Sequence, residues 1–144
     1  MGQTDVLRRE GVMKQIIVRT RNDSFTGTLD DSALSDAIWL SLPFHATTNM
    51  LGSEIYFEFP LTDIDIKGEE RTVMEVGDIA YWPRAHALCL FFGPTPLSGE
   101  DGKPVSRYPV IKIGELDGDC SSMEDAGDRQ RITIEQGRQT TVNE

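Results

Sequence analysis

The side chains able to do chemistry in this 144-residue chain are few and widely spaced. Cys89 lies inside the apolar run ALCLFFG and Cys120 follows the loop ELDGD, so neither belongs to a Cys-x-x-Cys pair of redox or metal-binding type. Both read as unpaired thiols. His45 and His86 stand apart from any Cys/His cluster, so no zinc site is expected. Asp117 and Asp119 lack the further oxygen ligands that a calcium ion needs and read as a solvated turn. No nucleophile elbow, phosphate loop or HExxH helix is present, and neither a metal nor a cofactor is expected. What remains is Arg84, a fixed donor, with His86 two residues on as a candidate ligand or proton carrier. The aromatics Tyr56, Trp82 and Phe92 are candidates for a ligand platform.

These residues must be held by short strands. EIYFEF places Ile55, Phe57 and Phe59 on one face of a strand and Tyr56 and Glu58 on the other. DIAYW (78–82) and ALCLFF (87–92) form a second pair joined through Pro83-Arg84-Ala85-His86. KQIIVRT and FTGTL, separated by Arg21-Asn22-Asp23-Ser24, read as a hairpin, and VIKI (110–113) and RITIEQ (131–136) supply two more strands. Leu34, Ala37 and Ile38 make the apolar stripe of one helix, capped by Asp30 or Asp31 and ended by Pro43. A helical turn is expected over Ser121–Ala126. One helix among many short strands points to a closed or nearly closed barrel.

Length allows one core, so residues 13–137 are expected to form a single domain. Residues 1–12 are polar and unpatterned and read as an extension, and 138–144 as a frayed tail. The net charge of -10, with no compact Lys/Arg stripe, argues against a nucleic-acid partner. No apolar run approaches the ~20 residues of a membrane helix and no signal-like start is visible. The expected setting is cytoplasmic, away from membranes.

Four segments occur in an order that resembles the cyclophilin family: Gly52-Ser53-Glu54-Ile55-Tyr56, then GDIAYWPRAHALCLFFGPTP (77–96), Asp101-Gly102-Lys103, and Arg131-Ile132-Thr133-Ile134. Together they span roughly residues 44–137. The run of strand, Tyr-Trp-Pro, short loop and CLFFG-type strand is similar to the small, atypical cyclophilin-like proteins of bacteria and archaea, a subgroup without an assigned activity. The resemblance implies a mainly β fold, a closed eight-stranded barrel with one main α-helix and one short helical turn.

Cyclophilins are prolyl isomerases, and rotation about a prolyl bond crosses a barrier of ~18–20 kcal/mol. An isomerase lowers it with a seat for the proline ring and a donor aimed at the twisted amide. The family's arginine follows a Phe-His pair, whereas Phe44-His45 is followed by Ala46. Pro104 stands where the family places a histidine, and Phe92 alone matches its proline seat. The resemblance therefore implies a groove near Tyr56, Trp82, Arg84, His86 and Phe92 that binds a small molecule or an extended peptide without efficient isomerase chemistry. The alternatives are a weak isomerase whose donor has moved to Arg84, and an interaction subunit with an apolar rim at Phe91 and Pro94.

Overall fold

The computed structural model describes residues 11–142, so the extension expected at the N-terminus lies, up to residue 10, outside the described residues, as do residues 143 and 144. Ten strands form one antiparallel sheet. In chain order they are β1 (Gly11–Arg19), β2 (Ser24–Leu29), β3 (Phe44–Thr47), β4 (Asn49–Leu51), β5 (Glu54–Glu58), β6 (Glu70–Val73), β7 (Asp78–Trp82), β8 (Ala87–Phe91), β9 (Val105–Leu116) and β10 (Arg131–Val142). Helix α1 spans Ala33–Leu40, and two 3-10 turns, η1 (Pro83–Ala85) and η2 (Ser121–Ala126), complete the list.

The strands run β3-β10-β1-β2-β9-β7-β8-β5-β4, with β6 paired to the outer part of β9. The fold is mainly β with one main helix, as expected; among the described residues the strands number ten rather than eight, and hydrogen bonds carry the path from β3 to β4 without closing it. Its two ends are nevertheless neighbours in the chain, separated by Thr48 alone. Thr48 is fully buried and doubly anchored. Its hydroxyl donates to the Gly127 carbonyl (2.6 Å), and its amide donates to the Gln130 carbonyl (2.8 Å).

β7 and β8 are buried on both faces. Ile55, Phe57, Phe59, Ile79, Tyr81, Leu88, Leu90 and Ile113 point into the main core, whereas Ala80, Cys89, Phe91 and Val110 alternate with them and form a second, smaller cluster with Met74 on the outside. Tyr81 keeps its phenol satisfied inside by donating to the Phe59 carbonyl (2.8 Å), and burial pushes its pKa up to about 12. Leu34, Ile38 and Trp39 seat α1 on the main core. The helix is capped by Ser32, one residue later than expected, whose hydroxyl accepts from the Ser35 amide, while Asp30 accepts from Ser32 and Ser35. Trp39 also donates to the Gln15 carbonyl and accepts from Gln136, tying α1 to β1 and β10.

The expected frayed tail is strand as far as Val142: Gln139, Thr140, Thr141 and Val142 pair with Lys14, Met13, Val12 and Gly11. A ladder is held by backbone groups, so a polar sequence does not prevent it. A bulge between Lys14 and Ile16 opposite Gly137 lets the ladder continue. No helix among the described residues is long and apolar enough to cross a membrane.

Candidate functional site

Parity along β5 and β7 places Tyr56 and Trp82 on the outer face, over the small cluster of Ala80, Cys89, Phe91 and Val110. Their rings meet edge to face with centroids 5.9 Å apart. Tyr108, on β9, stacks on the other side of Trp82 at 5.1 Å and 14°. Ser106 fixes that part of β9 by donating its hydroxyl to the Tyr108 carbonyl (2.6 Å). These side chains, with Leu51, Glu54 and Arg107, line a cavity of about 200 Å³.

Glu54 is the unusual member. It begins β5, opposite Leu51 of β4 and Phe91 of β8, and only 4% of it is exposed. Burial raises its pKa to about 7, partly offset by a hydrogen bond with the Cys89 thiol. Cys89 is itself pushed up by burial and by the adjacent carboxyl, which keeps it a thiol. No charged group contributes to the Glu54 shift. Trp82, which lines the same cavity, has its Nε1 buried and without an acceptor among the described residues. A buried carboxyl and an unpartnered indole N–H therefore belong to residues lining one small aromatic cavity.

Of the five residues expected to share a groove, the structure brings together Tyr56 and Trp82 and separates the rest. Arg84 and His86 lie on and just after η1, exposed, and neither lines the aromatic cavity. His86 ends that turn in the left-handed region (φ 51°), where its amide donates to the Pro83 carbonyl and its own carbonyl accepts from Phe59. Phe92 has the opposite parity to Cys89 and Phe91 and is buried in the main core, so it belongs to neither the groove nor an open proline seat. Phe91 is fully buried as well, so it forms no exposed rim with Pro94. Glu54 and Tyr108 were not singled out in the sequence. Glu54 carried a signal, since it shares the parity of Tyr56 in EIYFEF. Tyr108 carried none, because its place depends on how β9 pairs.

The positions matching the isomerase motif lie elsewhere. Phe44 packs against Phe59 with centroids 4.3 Å apart, Ala46 borders the core, and His45 Nδ1 is 3.0 Å from Thr133 Oγ1. Beside them is an open concavity of about 610 Å³, flanked by Glu58, Pro60 and Arg129. Arg129 donates to Asn49 Oδ1 (2.8 Å). Pro104 is buried, its carbonyl accepting from the Met74 amide. A third concavity, near Lys112 and Glu115, is lined by charges already paired: Lys112 bridges Asp78 (3.0 Å) and Glu115 (2.7 Å). Both cysteines are free and buried.

A family model described as "Cyclophilin-like" matches residues 14–135. The chain belongs to the cyclophilin-like family. Among solved structures, this cyclophilin-like domain is similar to the solution structure of the hypothetical protein AF2241 from Archaeoglobus fulgidus. The two are 30% identical, the match covers 88% of this chain and 97% of that one, and the TM-score is 0.69. No curated protein matches the chain.

Proposed function

We propose that this cyclophilin-like domain is a binding module that takes a small molecule, or one side chain or end of an extended peptide, into the cavity of Glu54, Tyr56, Trp82 and Tyr108. The observation that carries the reading is the unpartnered indole N–H of Trp82 in the aromatic cavity that also holds the buried Glu54 carboxyl. A buried polar group without a partner costs on the order of 1–3 kcal/mol, and a ligand that accepts from the indole recovers that cost. The cavity is smaller than the roughly 300–1,000 Å³ typical for drug-sized ligands, so its occupant is compact. The acidic charge of the chain speaks against a nucleic acid in this role. The test is a titration with a library of small polar fragments, following the indole N–H resonance of Trp82. Fragments that move it, and cease to do so in Tyr108→Ala, support the reading. A library whose hits all map elsewhere on the domain refutes it.

Residual prolyl isomerisation is a second reading with one observation in its favour: the concavity beside Ala46 contains a guanidinium, that of Arg129. Against it, Phe92 is buried in the core, and Arg84 lines none of these concavities. Uncatalysed exchange takes roughly 10–100 s at 25 °C, slow enough for a feeble catalyst to register by exchange NMR on an Ala-Pro peptide. The expected rate equals that of buffer. A rate proportional to protein that collapses in Arg129→Ala or Arg84→Ala would establish the isomerase and identify its donor.

A further inference from the structure

Resting on the cavity reading above, we infer that the occupant presents a small organic ammonium group, its charge paired with the Glu54 carboxylate and its carbon skeleton against Trp82, Tyr56 and Tyr108. Three features of the molecule converge on that class. The carboxyl is enclosed, and among the described residues no cationic side chain pairs with it; Arg107, which also lines the cavity, is exposed. An ionised carboxylate in such a place is costly unless a cation accompanies it, and the ligand is the remaining source of one. The aromatic side chains of Tyr56, Trp82 and Tyr108 line the cavity, and an aromatic lining favours an ammonium ion over a carboxylate. The chain's net charge of -10 raises the local concentration of cations and depletes anions near its surface.

The same features set the dependence on pH. Glu54 has its pKa raised to about 7, burial and the adjacent carboxyl push the Cys89 thiol up, and the other titratable or charged groups around the cavity are Tyr56, Tyr108 and Arg107. A cation binds the ionised form of Glu54 in preference to the neutral one. Affinity therefore rises as pH goes from 6 to 8, and saturation lowers the apparent pKa of Glu54.

The experiment uses n-butylammonium chloride as the probe, with n-butanol and sodium butyrate as neutral and anionic counterparts at matched ionic strength. The indole resonance of Trp82 and the side-chain carboxyl carbon of Glu54 are followed by NMR. Butylammonium is expected to move both, to lower the carboxyl titration midpoint by about one unit, equivalent to about tenfold preference for the ionised form, and to bind about tenfold more weakly to Glu54→Gln. If that variant fails to fold, the carboxyl titration of the unaltered protein decides by itself. Butanol or butyrate moving the Trp82 resonance as strongly as butylammonium, or a Glu54 midpoint that stays put at saturation, overturns the ammonium class and leaves the cavity reading standing. Should none of the three probes move Trp82, the inference fails, and the cavity reading then stands or falls on the fragment library alone.

Discussion

Glu54 shows how one residue can make the stability of a whole domain depend on pH. An ordinary glutamate titrates near 4.3, so between that value and about 7 the unfolded chain is ionised at this position while the folded chain keeps its proton. The unfolded state binds fewer protons in this window, and stability falls as pH rises through it. Glu54→Gln cannot ionise. Relative to the unaltered protein it should gain on the order of 2–3 kcal/mol between pH 4.5 and pH 8, read from urea denaturation across that range. A difference that stays constant with pH would mean that the carboxyl is ionised at an ordinary pKa. A second residue-scale contrast separates packing from exposure. Phe92 is enclosed by the main core, so Phe92→Ala should cost about 3–5 kcal/mol, whereas exposed Arg84→Ala should stay within about 0.5 kcal/mol. Similar midpoints for the two variants would refute the assigned strand parity.

At the scale of elements, β2 and β9 approach each other closely at Gly114. A methyl group on Gly114 would press into the Thr28 carbonyl and stand 3.0 Å from Leu29 Cα, both backbone atoms that cannot turn aside. Gly114→Ala should therefore cost about 1–3 kcal/mol or more, while Gly99→Ala, with open space around it, should be near neutral. Thermal midpoints of the two variants check this. Elements whose side chains alternate were legible in the sequence: β5, β7 and β8 stand where EIYFEF, DIAYW and ALCLFF placed them, and η2 covers the expected Ser121–Ala126. Those formed by pairing alone were not. β6 reads Glu-Arg-Thr-Val and exists because β9 offers it an edge, and β3 and β4 lie in a stretch broken by Thr48, whose partners are in the lead-in to β10. The site divides in the same way: Tyr56 and Trp82 follow from parity within one strand, while Tyr108 arrives from a strand far along the chain. Arg84 and His86 lie away from the cavity because β7 ends at Trp82 and the 3-10 turn η1, closed by His86, carries the chain beyond the strand ends.

For the molecule as a whole, the double-sided burial of β7 and β8 links thiol chemistry to unfolding. Cys89 is a fully buried member of the outer cluster and Cys120 is covered beside η2, so neither meets solvent without substantial opening of the fold. Alkylation of the native protein should be slow, and in denaturant without reductant mass spectrometry should find two modified thiols. Rapid native labelling of Cys89 would indicate that the outer cluster opens independently of the main core.

The antiparallel pairing of β1 with β10 also bears on how the domain is made. During synthesis β1 leaves the ribosome early and its outer neighbour is the last strand to appear, at about 5–20 residues per second. Until then β1 and β3 each lack the partner lying between them, and the apolar faces of Ile16, Val18 and Phe44 have nothing to complete their enclosure. The nascent chain must thus wait, for several seconds of translation, as an incomplete sheet with open edges, and a chaperone able to shield those edges would be most needed just before Arg131–Val142 emerges.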